Sequence, residues 1–193
     1  MSTVHNERKP FTGSCLCGFI KYIVYLRFPP ALTSGETDEM HARNANSIRL
    51  RKCNCNTCHK MGIFHLRLAD AANDFILLSP LDPFNDLGDY LCGNKILHWF
   101  FCKTCGVRCF FFMGEGRVVD RDIDGETRKV WVPAEDFVEE ENGYLSVNAT
   151  SLDPGQEGLD LREWHEKGWI HYLDMLDKKE ENSWERPHRG GMY

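Results

Sequence analysis

Seven of the nine cysteines fall into three tight groups: Cys15 and Cys17 in "SCLCG", Cys53, Cys55 and Cys58 in "CNCNTC", and Cys102 and Cys105 in "FCKTCG". Thiols that close converge on a metal or cross-link, and either outcome fixes the backbone at three points, which constrains the fold more than any apolar pattern does. A C-x-x-C followed by glycine is a knuckle that brings two thiolates onto one Zn²⁺ at about 2.3 Å, the small residue permitting the tight turn. "SCLCG" has the same small flanks. The two pairs together supply four thiolates, the complement of a closed tetrahedral structural site, and would tie the first strand to a late hairpin. Cys53, Cys55 and Cys58 then offer three ligands from one loop, the pattern of a catalytic zinc whose fourth position belongs to water or substrate. Two alternatives stay open on spacing alone: "CLC" could pair with "CNCNTC" instead, and His59 or His65 could close the second site.

The remaining thiols and imidazoles do not extend this pattern. Cys92 in "YLCG" and Cys109 in "VRCFFF" stand alone in apolar surroundings and read as small buried hydrophobes. The eight histidines form no H-x-x-x-H pair, and the spacing of His165 and His171 suits no common zinc motif.

Composition sets the context for these thiols. "MSTVHNERKPF" has no apolar stretch behind a basic start, and no apolar run approaches the ~20 residues of a membrane helix. A cytoplasmic, reducing setting is therefore the expectation, and there cysteines serve as metal ligands or reactive thiols rather than disulfides. A net charge of −6 provides no field for nucleic acid or anionic lipid. Charge is unevenly spread, however. Between Arg43 and Arg67 lie Arg43, Arg49, Arg51, Lys52, Lys60 and Arg67 without a single Asp or Glu. Three cysteinates on Zn²⁺ carry −1, which such cations stabilise, and the same cations attract a small anion. The plainer reading is a row of solvated charges on a strand edge.

Periodicity points to a mainly β chain. "GFIKYIVYL", "ILHWFFC", "VRCFFFMG" and the apolar run after the Asn142–Gly143 turn read as antiparallel strands. "PAEDFVEEE" suits one or two helical turns, and residues 29–47 are polar and rich in turn formers, an inserted surface loop. From Leu159 the spacing of Leu161, Trp164, Trp169, Tyr172, Leu173 and Leu176 leans helical, interrupted by Gly168, and the Gly- and Pro-containing tail reads as a loosely attached arm. The expected organisation is a β domain over residues 11–158 and a C-terminal helical or irregular arm over 159–193.

"GSCLCG" followed by "KYIV", then "CNCNTCHKMG", "FCKTCG" and "VNATSLD", in that order and spanning about residues 13–153, resemble the glutathione-dependent formaldehyde-activating family, which includes centromere protein V. The resemblance implies a β-tent of twisted antiparallel sheets with two Zn²⁺ per chain. It matches Cys15, Cys17, Cys102 and Cys105 to the structural zinc and Cys53, Cys55 and Cys58 to the catalytic one. It further implies a carbon–sulfur lyase type of enzyme, in which glutathione becomes the fourth ligand and adds to formaldehyde to give S-hydroxymethylglutathione. Because simple thiols add to formaldehyde without an enzyme, a non-catalytic zinc-dependent glutathione carrier or binding or interaction module is the alternative. By closeness along the chain to the three-cysteine loop, Lys60 and Arg67 are the first candidates to anchor the tripeptide's carboxylates. The chain departs from the family pattern in carrying His59 where many members have arginine, in the length of the 29–47 loop, and in the arm beyond Leu159. The basic segment that centromere protein V adds is not visible.

Overall fold

A computed structural model describes residues 7–30, 47–138, 141–179 and 182–193. Residues 31–46, which make up most of the inserted loop and include Arg43, lie outside the described residues.

The chain is mainly β. Two five-stranded sheets, in the orders β1-β2-β5-β8-β7 and β10-β3-β4-β9-β6, carry the fold. The first contains β1 (Lys9–Ser14), β2 (Lys21–Leu26), β5 (Phe75–Ser79), β7 (Gly116–Ile123) and β8 (Glu126–Pro133). The second contains β3 (Arg49–Cys53), β4 (His65–Arg67), β6 (Phe110–Met113), β9 (Tyr144–Asn148) and β10 (Ile170–Leu173). Short helices α1 (Asn56–Met61), α2 (Ala71–Asp74), α3 (Pro83–Asp86) and α4 (Leu161–Glu166) fill the connections.

Strand alternation divides each sheet into two faces. Tyr22, Val24, Leu26, Phe75, Leu77 and Trp131 of the first sheet meet Leu50, Leu66, Leu145, Val147, Phe110 and Phe112 of the second in one buried core. Phe75 and Phe110 make contact across it with ring centroids 5.2 Å apart. The opposite face of the first sheet has a small apolar layer of its own, Ile23, Ile76, Ile123, Val130 and Val132. The opposite face of the second sheet is different. Alternation and register give it Arg49, Arg51 and Cys53 of β3, His65 and Arg67 of β4, Ser146 of β9 and His171 of β10.

Three sequence expectations are changed by long-range contacts. "ILHWFFC" forms isolated bridges rather than a strand: His98 exchanges backbone bonds with Phe112 at 2.8 and 3.1 Å, and Phe101 with Gly88. The described part of "PAEDFVEEE" is a turn, because Phe137 leaves the surface to stack on Phe112 at 5.8 Å. The helical pattern beginning at Leu161 stops where Gly168 takes φ +65°, a left-handed value that closes a helix end, and the chain emerges as β10. β10 runs parallel to β3, with Leu173 opposite Cys53, so one pairing in the otherwise antiparallel sheets is parallel. The arm is also anchored. Trp164 is 1% exposed and packs against Phe28 and Phe64 at 5.4 and 5.7 Å, while Trp184 stacks on His171 at 4.4 Å.

Candidate metal centres

The quartet is assembled from two matching knuckles. The Cys15 N–H donates to Ile20 O at 3.1 Å and the Cys102 N–H to Val107 O at 3.0 Å; Gly18 and Gly106 return N–H bonds to the carbonyls of Cys15 and Cys102, both at 2.9 Å. Both glycines have positive φ, +76° and +77°, which is what lets a two- or three-residue turn present both sulfurs to one side. Cys15, Cys17, Cys102 and Cys105 consequently have all four Sγ atoms within 4.8 Å of one another. Cys17 Sγ lies 3.6 Å from Cys15 Sγ and 3.5 Å from Cys102 Sγ. A tetrahedron with metal–sulfur bonds of about 2.3 Å has edges of about 3.8 Å, so the donor set fits one tetrahedral soft metal ion. The Ile20 N–H, 3.2 Å from Cys15 Sγ, adds a donor to the sulfur. Of the two pairings open on spacing, the chain adopts "CLC" with "CKTC".

The late "VNATSLD" segment buttresses this knuckle. Ser151 Oγ is 2.8 Å from the Tyr22 hydroxyl, and Asp153 accepts from Ser14 Oγ at 2.6 Å and Thr12 Oγ1 at 2.8 Å, next to Cys15. The sequence motif thus has a local structural task. Cys109 is buried with its thiol pushed up by desolvation, and neither it nor half-buried Cys92 belongs to a metal-sized cluster.

The triad is built on the turn from β3 into α1. Cys53 ends the strand, Cys55 is the N-cap of α1, and Cys58 lies one turn on. Backbone donors serve the sulfurs: the Cys55 N–H points to Cys53 Sγ at 3.3 Å and the Cys58 N–H to Cys55 Sγ at 3.4 Å. Gly62, with φ +63°, closes the helix and turns the chain into β4. The three Sγ atoms lie within 4.8 Å of one another, a set that could hold a metal ion. Side-chain bonds from Cys53 and Cys58 hold the Cys55 thiol down to about 2, while the shared proton bonding holds Cys53 up at about 11 and raises Cys58.

The histidines differ sharply. His59 is exposed on α1. His65 is 8% exposed and puts Nε2 3.2 Å from Cys58 Sγ, with Nδ1 2.9 Å from Ser146 Oγ. It does not join the set of mutually close ligand atoms, so it reaches Cys58 without sharing the triad's centre. Burial, with the neighbouring Arg67 charge, pushes its pKa down to about 4, leaving a neutral ring locked between a serine and a thiol. Trp99 and Phe111 close over it at 6.4 and 5.5 Å, making one wall of the site apolar.

The acid-free basic run separates by face. Lys52 turns to the core side, its ammonium 4.7 Å from the Phe64 ring centroid and its pKa lowered by burial. Arg49 and Arg67 are 6% and 4% exposed, which removes the reading of solvated edge charges for them, and Arg67 stacks over Tyr144 at 3.9 Å. Lys60 stands exposed on α1. Arg49, Arg51 and Arg67 share the triad's face, a grouping that alternation along β3 makes legible in the sequence once the strand is known.

No protein-family model matches the chain, and no curated protein matches it. Among solved structures, a Rhodobacter sphaeroides protein determined by structural genomics aligns at a TM-score of 0.39 and 16% identity, over 79% of this chain and 93% of that one. No helix among the described residues is long and apolar enough to cross a membrane.

Proposed function

We propose that the quartet holds a structural zinc and that Cys53, Cys55 and Cys58 hold a second zinc with one position left to a small anionic thiol, glutathione being the abundant example. The observation that carries this reading is the contrast between the clusters: four mutually close sulfurs in one, three in the other, with the nearest imidazole engaged by Ser146 and outside the set. The donor chemistry supports zinc, since all-thiolate sets suit soft, borderline metals and tetrahedral geometry. A bound zinc supplies a Lewis-acidic position that favours a thiolate over a thiol of ordinary pKa ~8.5.

The chain's residues do the rest. The three cysteines fix the position at which the thiol arrives, and Trp99 and Phe111 wall it from water on one side. Arg51 and Arg67 on the same face supply positive charge for the thiol's carboxylates. In the family activity the thiol sulfur attacks the formaldehyde carbon, a C–S bond forms, the carbonyl π pair moves to oxygen, and the proton lost by the thiol ends on that oxygen. S-hydroxymethylglutathione is the product, and the reverse reaction breaks the same C–S bond.

Calorimetry on zinc-loaded protein tests the thiol site. Glutathione should bind with proton release, lose binding on Cys55→Ser, and bind far more weakly as S-methylglutathione. His65→Ala should leave the binding in place; if it abolishes the second metal, His65 is a ligand and the site is closed. Equal affinity for S-methylglutathione would show that the thiol goes elsewhere. Binding with no acceleration of adduct formation over the protein-free rate makes the protein a carrier.

A further inference from the structure

Asn54 lies between two triad cysteines, and its side chain belongs to the C-terminal arm. It is 3% exposed. Its Oδ1 accepts the N–H groups of Met175 at 2.7 Å and Leu176 at 2.9 Å; its Nδ2 donates to Asp174 Oδ1 at 2.7 Å and to Arg189 O at 3.0 Å. All four hydrogen-bonding capacities of the amide are thereby used. The Asn54 backbone N–H adds a bond to Leu173 O at 3.2 Å, directly beyond the parallel pairing of Leu173 with Cys53. Asp174 is itself 8% exposed and collects the N–H groups of Asp177 at 3.4 Å and Lys179 at 2.8 Å, so the loop after β10 is organised around the same carboxylate. The tail closes over the residue: a Cβ at Gly191 would lie 3.6 Å from Asn54 Cβ.

We propose that the C-terminal arm is a positioning element for the metal loop, acting through Asn54. The amide anchors Asn54, and with it the two peptide units that join Asn54 to Cys53 and to Cys55, and so sets the separation of two ligands before any metal arrives. No other side chain of this size provides two acceptor sites and two donors. Alanine leaves the Met175 and Leu176 N–H groups and the Asp174 oxygen without this partner, and aspartate sets a second carboxylate against Asp174. Outer partners that orient metal ligands change affinity by about 10–100-fold when removed, and Asn54 acts on two ligands at once through the backbone. The quartet shares no element with the arm and should not feel the change.

This inference rests on the triad being a metal site, and the experiment separates the two. Full-length wild type, Asn54→Ala, Asp174→Asn and Cys55→Ser are loaded with Zn²⁺ against a chromophoric chelator, and with Co²⁺ to follow d–d and sulfur-to-cobalt charge-transfer bands. Bands missing from Cys55→Ser identify the triad. Asn54→Ala should weaken the triad by about 10–100-fold and shift its d–d bands, with quartet affinity and bands unchanged. Asp174→Asn, which keeps the amide bonds to Met175 and Leu176, should give a smaller loss in the same direction. Unchanged triad affinity and bands in Asn54→Ala overturn the proposal, and so does parallel loss of both metals, which marks Asn54 as merely structural. A wild type that binds a single metal overturns the metal reading of the triad itself.

Discussion

Replacing Cys102 by serine tests the division of labour between the two clusters. Cys102 is fully buried, and its sulfur contacts that of Cys17, 85 residues earlier. Treated as a cross-link, a clip across 85 residues removes unfolded-chain entropy worth about 4.6 kcal/mol at 25 °C. The triad spans only the turn from Cys53 to Cys58, and the same relation gives about 2 kcal/mol for so short a loop. A chain of this size shifts its melting point by about 2–4 °C per kcal/mol, so Cys102→Ser should melt roughly 10–20 °C below wild type, and Cys55→Ser within roughly 8 °C of it. The loss for Cys102→Ser approaches the whole stability of a marginal domain, so poor soluble yield is an expected form of the result. The assay is thermal denaturation followed by far-UV circular dichroism in a fixed small excess of zinc, repeated with Cys105→Ser and Cys15→Ser, which should match Cys102→Ser. Equal destabilisation by Cys55→Ser and Cys102→Ser would falsify the assignment of structural and open sites.

Elemental analysis of protein purified without chelators should find two zinc ions per chain; one ion with three freely titratable thiols in the grouped set would contradict the second site. Trp164→Ala should destabilise the whole protein by about 3–5 kcal/mol, because the indole is buried against Phe28 and Phe64; a single cooperative transition at a lower denaturant midpoint is the expected curve. An unchanged midpoint would mean that the arm unfolds independently of the sheets.

The cysteine grouping was legible in the sequence because ligand spacing is a local property. Two sulfurs within four residues and a following glycine dictate a knuckle whatever the rest of the chain does, and Gly18 and Gly106 adopt the conformation that spacing demands. β2 and β6 were legible for a similar reason, since β-branched and aromatic runs fit a pleated surface. Which knuckles meet is not local: only the sheets, by bringing the β1–β2 turn to the Gly88–Phe101 bridges, join Cys15 and Cys17 to Cys102 and Cys105 rather than to the triad. His65 illustrates the same limit. Its closeness to Cys58 along the chain made it a candidate ligand, but where the ring sits, with Nε2 3.2 Å from Cys58 Sγ, is fixed by Ser146 on a strand far along the chain.

The arm shows most clearly what tertiary structure decides. Leu161 to Leu176 has a helical period, and one helix does form as far as Glu166, but Gly168 ends it at small cost and the free edge of β3 offers hydrogen bonds that a continued helix would forgo. Asn54 lies between Cys53 and Cys55 in the sequence. Its four partners lie at residues 174, 175, 176 and 189, and no periodicity or motif around position 54 encodes them. The burial of Arg49 and Arg67 has the same origin: the sequence supplied an acid-free row of cations, and the register of β3 with β4 chose which of them share a face with the thiols. Ligand type, spacing and turn conformation are set by neighbours along the chain; pairing, strand direction and burial are set by residues that meet only once the chain has folded.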